Sequence, residues 1–359
     1  MKAKKISFLH YRNIEKEEIG LTEGVNLFLG DNAQGKTNAL EGIFLFANGR
    51  SFRTGSDKDL IAFGFEDSRL SLVFDDGRRE NLLETELHFG RGRTYRKNGV
   101  PVRTGSEFIG SFRAVLFSPE HIAVVKAGPA ERRAFLDAAI SQLKPVYLSS
   151  LQKYNLILAQ RNALLRSAGE ERSSSFDTTL SIWSSQLARE AAYLAAERAA
   201  YTDALAEKVS GFFSDLSLGK EKVGMRYNRV LTEEEYLKKL TENTEREIAA
   251  GVTLYGIHKD DIDITLNDRD SRLFASQGQQ RSIAFAMKLG EGLLSEEITG
   301  SSPVYLLDDV LSELDTDRRK FVLRAMRNRQ VIVTTCMPED FREIEANRIE
   351  VREGRFQCI

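Results

Sequence analysis

The sequence predicts a mixed α/β fold whose sheet-forming halves, residues 1–125 and 251–359, are separated by a helical arm at residues 126–250. A buried apolar strand at residues 25–29 enters a glycine-rich turn, and an apolar-periodic helix leaves it. Two later apolar strands, at residues 304–309 and 330–335, each end in polar residues. In the arm, apolar residues recur at helical spacing, which distinguishes it from the two flanking halves.

The glycine-rich turn has the residue types of a phosphate-binding loop. It consists of Gly30, Asp31, Asn32, Ala33, Gln34, Gly35, Lys36 and Thr37. Glycine at both ends lets the backbone pass close around a polyphosphate, so that the amides face the phosphates. We expect Lys36 to reach the β- and γ-phosphates of ATP, and the Thr37 hydroxyl to coordinate Mg²⁺. The alternative is a strand-to-helix turn that binds nothing, but the flanking strand and helix favour nucleotide binding.

Composition limits the classes of function. Of the 359 residues, 42% are hydrophobic and 29% are charged, and the formal net charge is -2. These values are ordinary for a globular protein, and they argue against a uniformly basic nucleic-acid binder while permitting local basic patches. The two cysteines, Cys336 and Cys358, are too few for a disulfide scaffold or a structural zinc site. We recognise no export signal and no membrane-spanning stretch, so the sequence predicts a cytoplasmic protein.

An antiparallel β region is predicted before residue 125. Alternating runs lie at residues 70–74 and 85–89, and Asn98-Gly99 is a strong hairpin signal between residues 93–97 and 100–103. Basic residues occur in this hairpin and in a turn at residues 49–55. The candidate DNA-contacting residues are Arg50, Arg53, Arg93, Arg96 and Lys97. Such cations suit a phosphate backbone; the alternative is a hairpin with an ordinarily charged outer face.

The arm is predicted to contain two long amphipathic helices, around residues 151–165 and 180–212, joined by a loop at residues 167–175. Thr232 and Glu235 form a capping-box pattern that opens another helix to about residue 248. The run is too short, and too poor in strict heptads, for a long coiled coil. Strands are predicted again at residues 252–256 and 262–266.

The C-terminal half carries two groups of polar residues. Ser276, Gln277, Gly278 and Gln279 precede a helix from residue 282 to about residue 294. Ligands of open α/β sheets lie at the carboxyl ends of strands, so we expect Asp308, Asp309 and Thr335 to gather beside residues 30–37. Asp308 is predicted to hold Mg²⁺ through a water, and Asp309 to orient the water that attacks the γ-phosphate. The alternative for this acidic pair is a strand end capped by solvated carboxylates.

The helix start at residues 276–279 offers backbone amides and a positive dipole end to an anion. Because residues 30–37 already hold the chain's own nucleotide, we expect this second site to contact the γ-phosphate held by another subunit. The prediction is an ATP-sandwich homodimer with Lys36, Asp308 and Asp309 as catalytic residues. Turnover is expected to be slow, since an aspartate at position 309 is one methylene shorter than a glutamate.

Taken together, these motifs resemble the heads of ABC-type DNA-repair ATPases, and most closely those of the RecF family. The supporting segments are residues 11–13, 32–38, 49–53, 117–120, 128–133, 160–162, 306–310 and 312–315. The likeness runs nearly from end to end. One difference is that the family usually has glycine-proline-histidine-arginine-aspartate-aspartate where this chain has Gly256-Ile257-His258-Lys259-Asp260-Asp261. Lysine cannot offer the bidentate fork of arginine.

The resemblance implies a P-loop ABC-type ATPase head, a mixed sheet plus an antiparallel β lobe, with an inserted helical arm. It implies that Arg12 and Asn13 join the ATP site, and that residues 276–279 are a signature motif acting in trans. It further implies a DNA replication and repair protein that binds gapped or junction DNA with ATP and has weak ATPase activity. Such proteins work with RecR and RecO to help load RecA, and they take part in the SOS response.

Three other classes compete with this interpretation. A transport- or translation-linked ABC ATPase usually has a histidine after the last catalytic strand, where this chain has Thr334-Thr335. A cohesin- or Rad50-type head needs long heptad arms, which the sequence lacks. A P-loop kinase with a single active site would leave residues 276–280 unexplained.

Overall fold

The computed structural model describes residues 1–168, 175–217, 219–313, 319, 322, 324–342 and 344–359. The chain forms two compact units: the first comprises Met1–His121 and Ala284–Ile359, and the second comprises Ile122–Ile283. The second unit extends to residue 283, beyond the predicted end of the arm at residue 250. Two predictions fall partly outside the described residues. They are the loop, at residues 169–174, and the 312–315 motif, at Leu314 and Asp315. None of the described helices is long and apolar enough to cross a membrane.

The elements of the described residues are named here in chain order. The strands are β1 (Lys2–Tyr11), β2 (Ile14–Gly20), β3 (Val25–Leu29), β4 (Asp67–Asp75), β5 (Glu80–His88), β6 (Gly92–Lys97), β7 (Val100–Val102), β8 (Ala114–Phe117), β9 (Val223–Tyr227), β10 (Ile262–Leu266), β11 (Arg269–Asp270), β12 (Val304–Asp308), β13 (Val331–Thr335), β14 (Ala346–Arg352) and β15 (Arg355–Cys358). The helices are α1 (Lys36–Asn48), α2 (Ala123–Lys126), α3 (Pro129–Leu143), α4 (Pro145–Ser167), α5 (Phe176–Leu216), α6 (Glu233–Glu242), α7 (Thr244–Ala250), α8 (Ser271–Phe274) and α9 (Gln277–Thr299).

The first unit contains a mostly parallel sheet in the order β15-β14-β3-β13-β12-β8. Only β15 runs antiparallel to its neighbour among these described strands. β12 and β13 are buried along their whole length, which accounts for their unbroken apolar sequences. Asp308 pairs in register with Thr334, and Leu29 with Thr335. The carboxyl ends of β3, β12 and β13 therefore meet at one edge, as predicted.

The same unit contains an antiparallel sheet in the order β2-β1-β4-β5-β6-β7. Burial alternates along β5, where Leu83 and Leu87 face the core and the residues next to them in sequence are partly exposed. Asn98 and Gly99 between β6 and β7 both have positive φ angles, 52° and 76°. Two left-handed residues are what a two-residue hairpin turn requires, so the predicted hairpin is confirmed.

The second unit is largely helical. Its long helices α4 and α5 pack along each other, and β9, β10 and β11 form a small antiparallel sheet. The predicted capping box is present: Thr232 Oγ1 accepts a hydrogen bond from the Glu235 amide, and the Glu235 carboxylate accepts one from the Thr232 amide. The helix predicted to reach residue 248 is instead two helices, α6 and α7, which separate at Asn243.

The prediction of a strand at residues 252–256 is wrong. Gly251, with a φ of 65°, ends α7, and an irregular segment follows. The Thr253 amide donates to Asn162 Oδ1 (2.7 Å), and the Leu254 amide donates to Glu247 Oε1 (2.7 Å). Because side chains from the helices take these amides, they do not join a β-ladder.

Buried arginines organise the core of this unit. The fully buried guanidinium of Arg161 donates to Glu247 (2.6 Å), to the hydroxyl of Thr253 (2.8 Å) and to that of Ser184 (3.1 Å). Arg198 donates to both carboxylate oxygens of Asp137. Each buried charge is thereby paired and hydrogen-bonded, which is the condition for tolerating it away from water.

Candidate nucleotide site

Two glycines shape the loop at residues 30–37. A Cβ at Gly30, whose φ is 153°, would collide with the carbonyl oxygen of Val351 in β14. A Cβ at Gly35, whose φ is 116°, would lie 2.9 Å from Asn13 Oδ1. Both the backbone angles and the close neighbours exclude larger residues at these positions.

The turn between β14 and β15 holds the same loop from the other side. The Glu353 amide donates to Gln34 Oε1 (2.7 Å), and the Gly354 amide donates to the Gln34 carbonyl (2.8 Å). The Asn13 amide group also donates to the Gln34 carbonyl, at 3.2 Å. The conformation of the loop is thus set by residues distant in sequence as well as by its own glycines.

Lys36 lies inside the loop that it belongs to. It is 7% exposed, and its ammonium donates to the carbonyls of Gly30 and Asp31, the latter at 2.7 Å. The thiol sulfur of Cys336, just after β13, is 3.4 Å from Lys36 Nζ. A cation held at the centre of a loop of backbone groups is placed to meet an anion that enters the loop.

Asp308 at the end of β12 contacts the residue after this lysine. Its Oδ1 accepts hydrogen bonds from the hydroxyls of Thr37 (2.7 Å) and Thr334 (2.8 Å). Burial raises the pKa of the Asp308 carboxyl, and the two hydroxyls offset part of that shift. The exposed neighbour Asp309 has a φ of 51°, and its amide donates to Thr334 Oγ1 (3.0 Å).

In the metal-free protein, Asp308→Asn is expected to increase the free energy of unfolding at pH 7 by roughly 1 kcal/mol. A raised pKa means that the ionised carboxylate costs the folded state stability above that pKa, and that the cost is relieved as the pH falls through it. The advantage of the variant in urea unfolding should therefore shrink on acidification. Asp309→Asn, at an exposed position, is the control. A variant less stable than wild type would show that the threonine hydroxyls outweigh burial.

The residues assigned to this site by resemblance, Arg12 and Asn13, lie next to the loop. Arg12 pairs with the fully buried Glu41 of α1, at 2.7 and 2.9 Å, and so joins the end of β1 to this helix. Asn13 accepts a hydrogen bond from the Asn38 amide group (2.8 Å). Arg12 therefore braces α1, whereas Asn13 borders the loop directly.

Ser276, Gln277, Gly278 and Gln279 lie in the second unit, at the start of α9. The Ser276 amide donates to Gln279 Oε1 (2.7 Å), and the Gln279 amide donates to Ser276 Oγ (3.3 Å). This reciprocal cap fixes the helix end, while Gln277 and Gly278 remain exposed. The helix begins at Gln277 and ends at Thr299, so it is longer at both ends than predicted.

Comparisons with known proteins decide the family. The model of the RecF/RecN/SMC N-terminal domain matches residues 2–355. The DNA replication and repair protein RecF of Clostridium beijerinckii is 36% identical over 357 residues, which cover 98% of this chain and 96% of that protein. The chain belongs to the RecF family. The RecF protein of Clostridioides difficile is likewise 36% identical, over 347 residues that cover 94% of this chain and 92% of that protein.

Solved structures agree with this assignment. A structure described as the recombination mediator protein RecF-ATP in the RecFOR pathway has a TM-score of 0.93 and 33% identity, covering 100% of this chain and 97% of that one. An Smc head domain from Pyrococcus furiosus, with a TM-score of 0.59 and 16% identity, shares the fold alone. The predicted family and the predicted class of ATPase head are confirmed.

The segment that departs from the RecF family pattern is fixed inside the second unit. Ile257, at the position where the resemblance leads us to expect proline, is buried, and its carbonyl accepts a hydrogen bond from Arg198 (2.9 Å). His258 contacts the Tyr154 hydroxyl (2.6 Å), and burial lowers the pKa of this histidine to about 4. Lys259 is exposed. The lysine that replaces the expected arginine therefore lies at the surface, and the isoleucine that replaces the expected proline keeps an apolar side chain in the core.

The predicted DNA-contacting residues differ in their surroundings. Arg50 and Arg96 are exposed, and Arg53 has 42% of its side chain exposed. The Arg53 guanidinium donates to Asn38 Oδ1 (2.7 Å), close to the loop at residues 30–37. Lys97 is half-buried and donates to the Ser111 hydroxyl (2.9 Å). Three of the five predicted cations thus remain at the surface.

The structure contradicts a DNA-contacting role for Arg93. Its side chain is 10% exposed, its guanidinium pairs with the Asp57 carboxylate, and it donates to the Gly49 carbonyl (2.8 Å). Residues alternate between the faces of β6, so that Arg93 points inward while Arg96 points outward opposite Glu84. The sequence could not show this, because Asp57 lies 36 residues away.

Arg93→Ala is expected to lower the free energy of unfolding by roughly 2 kcal/mol, because it leaves Asp57 and the Gly49 carbonyl without their charged donor. Arg96→Ala, on the outer face of the same strand, should change it by less than about 0.5 kcal/mol. Urea denaturation of both variants measures the difference. Equal effects would place the two side chains in equivalent environments, contrary to the structure.

The sequence does not predict two contacts of the site. Thr334, rather than its neighbour Thr335, contacts Asp308, and only the register of β12 against β13 selects it. The sequence indicates no more than a structural role for Cys336, yet its sulfur lies beside Lys36. Its position directly after a strand at the carboxyl edge is the signal that could have drawn attention to it.

Proposed function

We propose that this chain is an ATP-dependent DNA-binding protein of DNA replication and recombinational repair. The observation that carries the proposal is the 2.7 Å hydrogen bond between Thr37 and Asp308, directly beside Lys36. It joins the loop after β3 to the end of β12, which is where a nucleotide and its metal would lie. The relative named DNA replication and repair protein RecF and the solved structure of RecF-ATP support the same function.

ATP would bind with its phosphates against the amides of residues 30–37, and Lys36 would exchange loop carbonyls for phosphate oxygens. The Thr37 hydroxyl and the Asp308 carboxylate are hard oxygen donors of the kind that Mg²⁺ prefers. Among the described residues there is no group of three His, Cys, Asp or Glu side chains that could hold a metal ion. Mg²⁺ would therefore depend on phosphate oxygens and waters for its remaining ligands, and would bind together with ATP.

Asp309 is the candidate for orienting the water that attacks the γ-phosphate. It is exposed, it follows Asp308 directly, and its backbone is anchored through Thr334. The short aspartate side chain suits slow turnover, so ATP hydrolysis would act as a switch for dimerisation and DNA binding.

A second copy would complete the site. The amides at the start of α9 are held by the reciprocal cap of Ser276 and Gln279, and Gly278 adds no side chain to the exposed tip. This tip would bind the γ-phosphate of the nucleotide carried by the partner subunit, which makes the homodimer dependent on ATP.

DNA would be bound through phosphate contacts from exposed cations, with Arg50, Arg53 and Arg96 as candidates. By analogy with the RecF family, we propose that the chain binds gapped or junction DNA and that RecR is its partner. It would act with RecO and RecA in the SOS response. The proposed location is the cytoplasm.

Sedimentation velocity tests the proposal. The chain is run with ATP and Mg²⁺, with ADP and Mg²⁺, and without nucleotide, each with and without gapped duplex. We expect a dimer with ATP and Mg²⁺, but not with ADP or without nucleotide. We expect DNA to be bound mainly by that dimer. Ser276→Glu should keep ATP binding but abolish the dimer, while Ser149→Glu, at an exposed position of α4, should not. Asp309→Asn should hold the dimer together. A dimer that forms equally well without ATP would refute the proposal.

A further inference from the structure

Three phenylalanines are exposed at one end of the antiparallel sheet, and we name them the aromatic patch. Phe63 is fully exposed, and 42% of Phe65 and 56% of Phe89 is exposed. A turn closed by a bond from the Phe65 amide to the Ala62 carbonyl carries the first two. The Phe89 amide donates to the Glu66 carbonyl (2.8 Å), which ties the third ring to the same end of the sheet. Large rings grouped at the surface of a folded unit indicate a binding surface.

Two of these rings already carry a flat or cationic partner on one face. The His10 ring stacks on Phe65, with centroids 3.7 Å apart and planes 20° from parallel. The Lys58 ammonium lies 4.8 Å from the centroid of the Phe89 ring. The stacking contact holds the Phe65 ring in a fixed orientation, and the cation–π contact does the same for the Phe89 ring. Both rings are thereby positioned before a further flat group stacks on them.

Two exposed cations lie next to the patch. Asp57 is paired with Arg93, and Glu86 with Arg69. By contrast, the exposed cations Lys58 and Arg91 have no ion pair within the part of the chain that the structure describes. The acids Asp59 and Glu66 are exposed in the same segments, and Asp67, 43% of whose side chain is exposed, lies beside His10. Cations interleaved with exposed rings are the combination by which proteins hold single-stranded nucleic acid.

We propose that the aromatic patch binds unpaired bases of single-stranded DNA by stacking, while Lys58 and Arg91 neutralise the adjoining phosphates. Bases of a duplex are stacked on each other and cannot cover these rings, so the patch distinguishes single strands from duplex. The inference rests on the proposed function of DNA binding, and it adds a site that reads the single-stranded part of a gap. It needs no base-specific contact, since every base has a flat face.

The test measures the affinity of the full chain, with ATP and Mg²⁺, for a fluorescent oligothymidylate and for a duplex of equal length. Phe63→Ala and Phe89→Ala are each expected to weaken binding of the oligothymidylate by roughly tenfold and to leave duplex binding within about twofold. Phe63→Leu, which keeps apolar area without the ring, should be as weak as Phe63→Ala. Leu156→Ala removes a similarly exposed apolar side chain from the second unit and should change neither affinity.

A spectroscopic readout separates stacking from general loss of contact. Trp183 is the only tryptophan, so the Trp183→Phe variant has no tryptophan fluorescence of its own. In it, Phe63→Trp should bind oligothymidylate as tightly as wild type and lose indole fluorescence on binding, whereas Leu156→Trp should not.

Three results would overturn stacking at the patch. Normal oligothymidylate binding by both alanine variants would overturn it and would indicate that the patch binds a protein partner instead. Equal losses on single strand and duplex, or full binding by Phe63→Leu, would also overturn it. If the wild-type chain binds neither the oligothymidylate nor the duplex, the proposed function of DNA binding is refuted together with the patch assignment.

Discussion

Lys36→Ala is expected to weaken binding of ATP with Mg²⁺ by at least about 100-fold, equivalent to roughly 2.7 kcal/mol. The ammonium is almost fully buried within residues 30–37, where loop carbonyls and the Cys336 sulfur contact it. When a triphosphate enters, the ammonium exchanges neutral carbonyl acceptors for anionic phosphate oxygens, so that both the donor and the acceptor are charged. Alanine supplies neither the charge nor the donors. Titration calorimetry of the variant measures the loss.

The matched control for this experiment is Lys16→Ala, which removes an exposed lysine from β2 in the same unit. It should bind ATP like the wild-type chain. Thermal unfolding without nucleotide should show that the Lys36 variant remains folded, because the loop backbone is also held by Gln34, Glu353 and Gly354. Unchanged ATP affinity in a folded Lys36→Ala variant would place the nucleotide elsewhere.

Arg161→Ala is expected to destabilise the second unit by roughly 3–5 kcal/mol, and so to lower its melting temperature by roughly 10 °C. The guanidinium and its partner Glu247 are both fully buried. Removing the arginine leaves an unpaired carboxylate in the core and breaks the contacts to Thr253 and Ser184. Calorimetry or urea unfolding monitored by Trp183 in α5 measures the change.

Two further variants make this prediction specific. Lys153→Ala changes an exposed position of the same helix and should shift stability by less than about 0.5 kcal/mol. The double variant Arg161→Met with Glu247→Leu removes both charges and should recover part of the loss, since no carboxylate is left buried alone. A loss below about 1 kcal/mol for Arg161→Ala would mean that water reaches this pair.

Features specified by neighbouring residues could be predicted from the sequence. The loop at residues 30–37 has its glycines at fixed spacing, the Asn98-Gly99 turn sets its own backbone angles, and the cap of α6 needs only Thr232 and Glu235. The buried strands β12 and β13 could be predicted because a short, unbroken apolar run that ends in polar residues is typical of a strand buried on both faces. For the same reason, the sequence indicated the carboxyl edge where the site lies.

Features that depend on distant partners could not be predicted. Residues 252–256 have strand-like composition, but Asn162 and Glu247 take their amides before a ladder can form. Arg93 carries the same charge as Arg96, and only the pairing with Asp57 separates their roles. Thr334 and Thr335 are equivalent in sequence until β13 is aligned with β12. In each case a long-range hydrogen bond or ion pair overrides the local pattern.

The turn after β14 has a consequence for how the chain becomes active during synthesis. The bond between Gln34 and the Glu353 amide joins residues 319 positions apart. A ribosome therefore makes the loop early but its brace more than three hundred residues later, so a nascent chain that stops short of residue 353 lacks this support. Ligand-binding competence should accordingly appear late in translation, and prematurely terminated fragments should not compete with finished molecules for nucleotide.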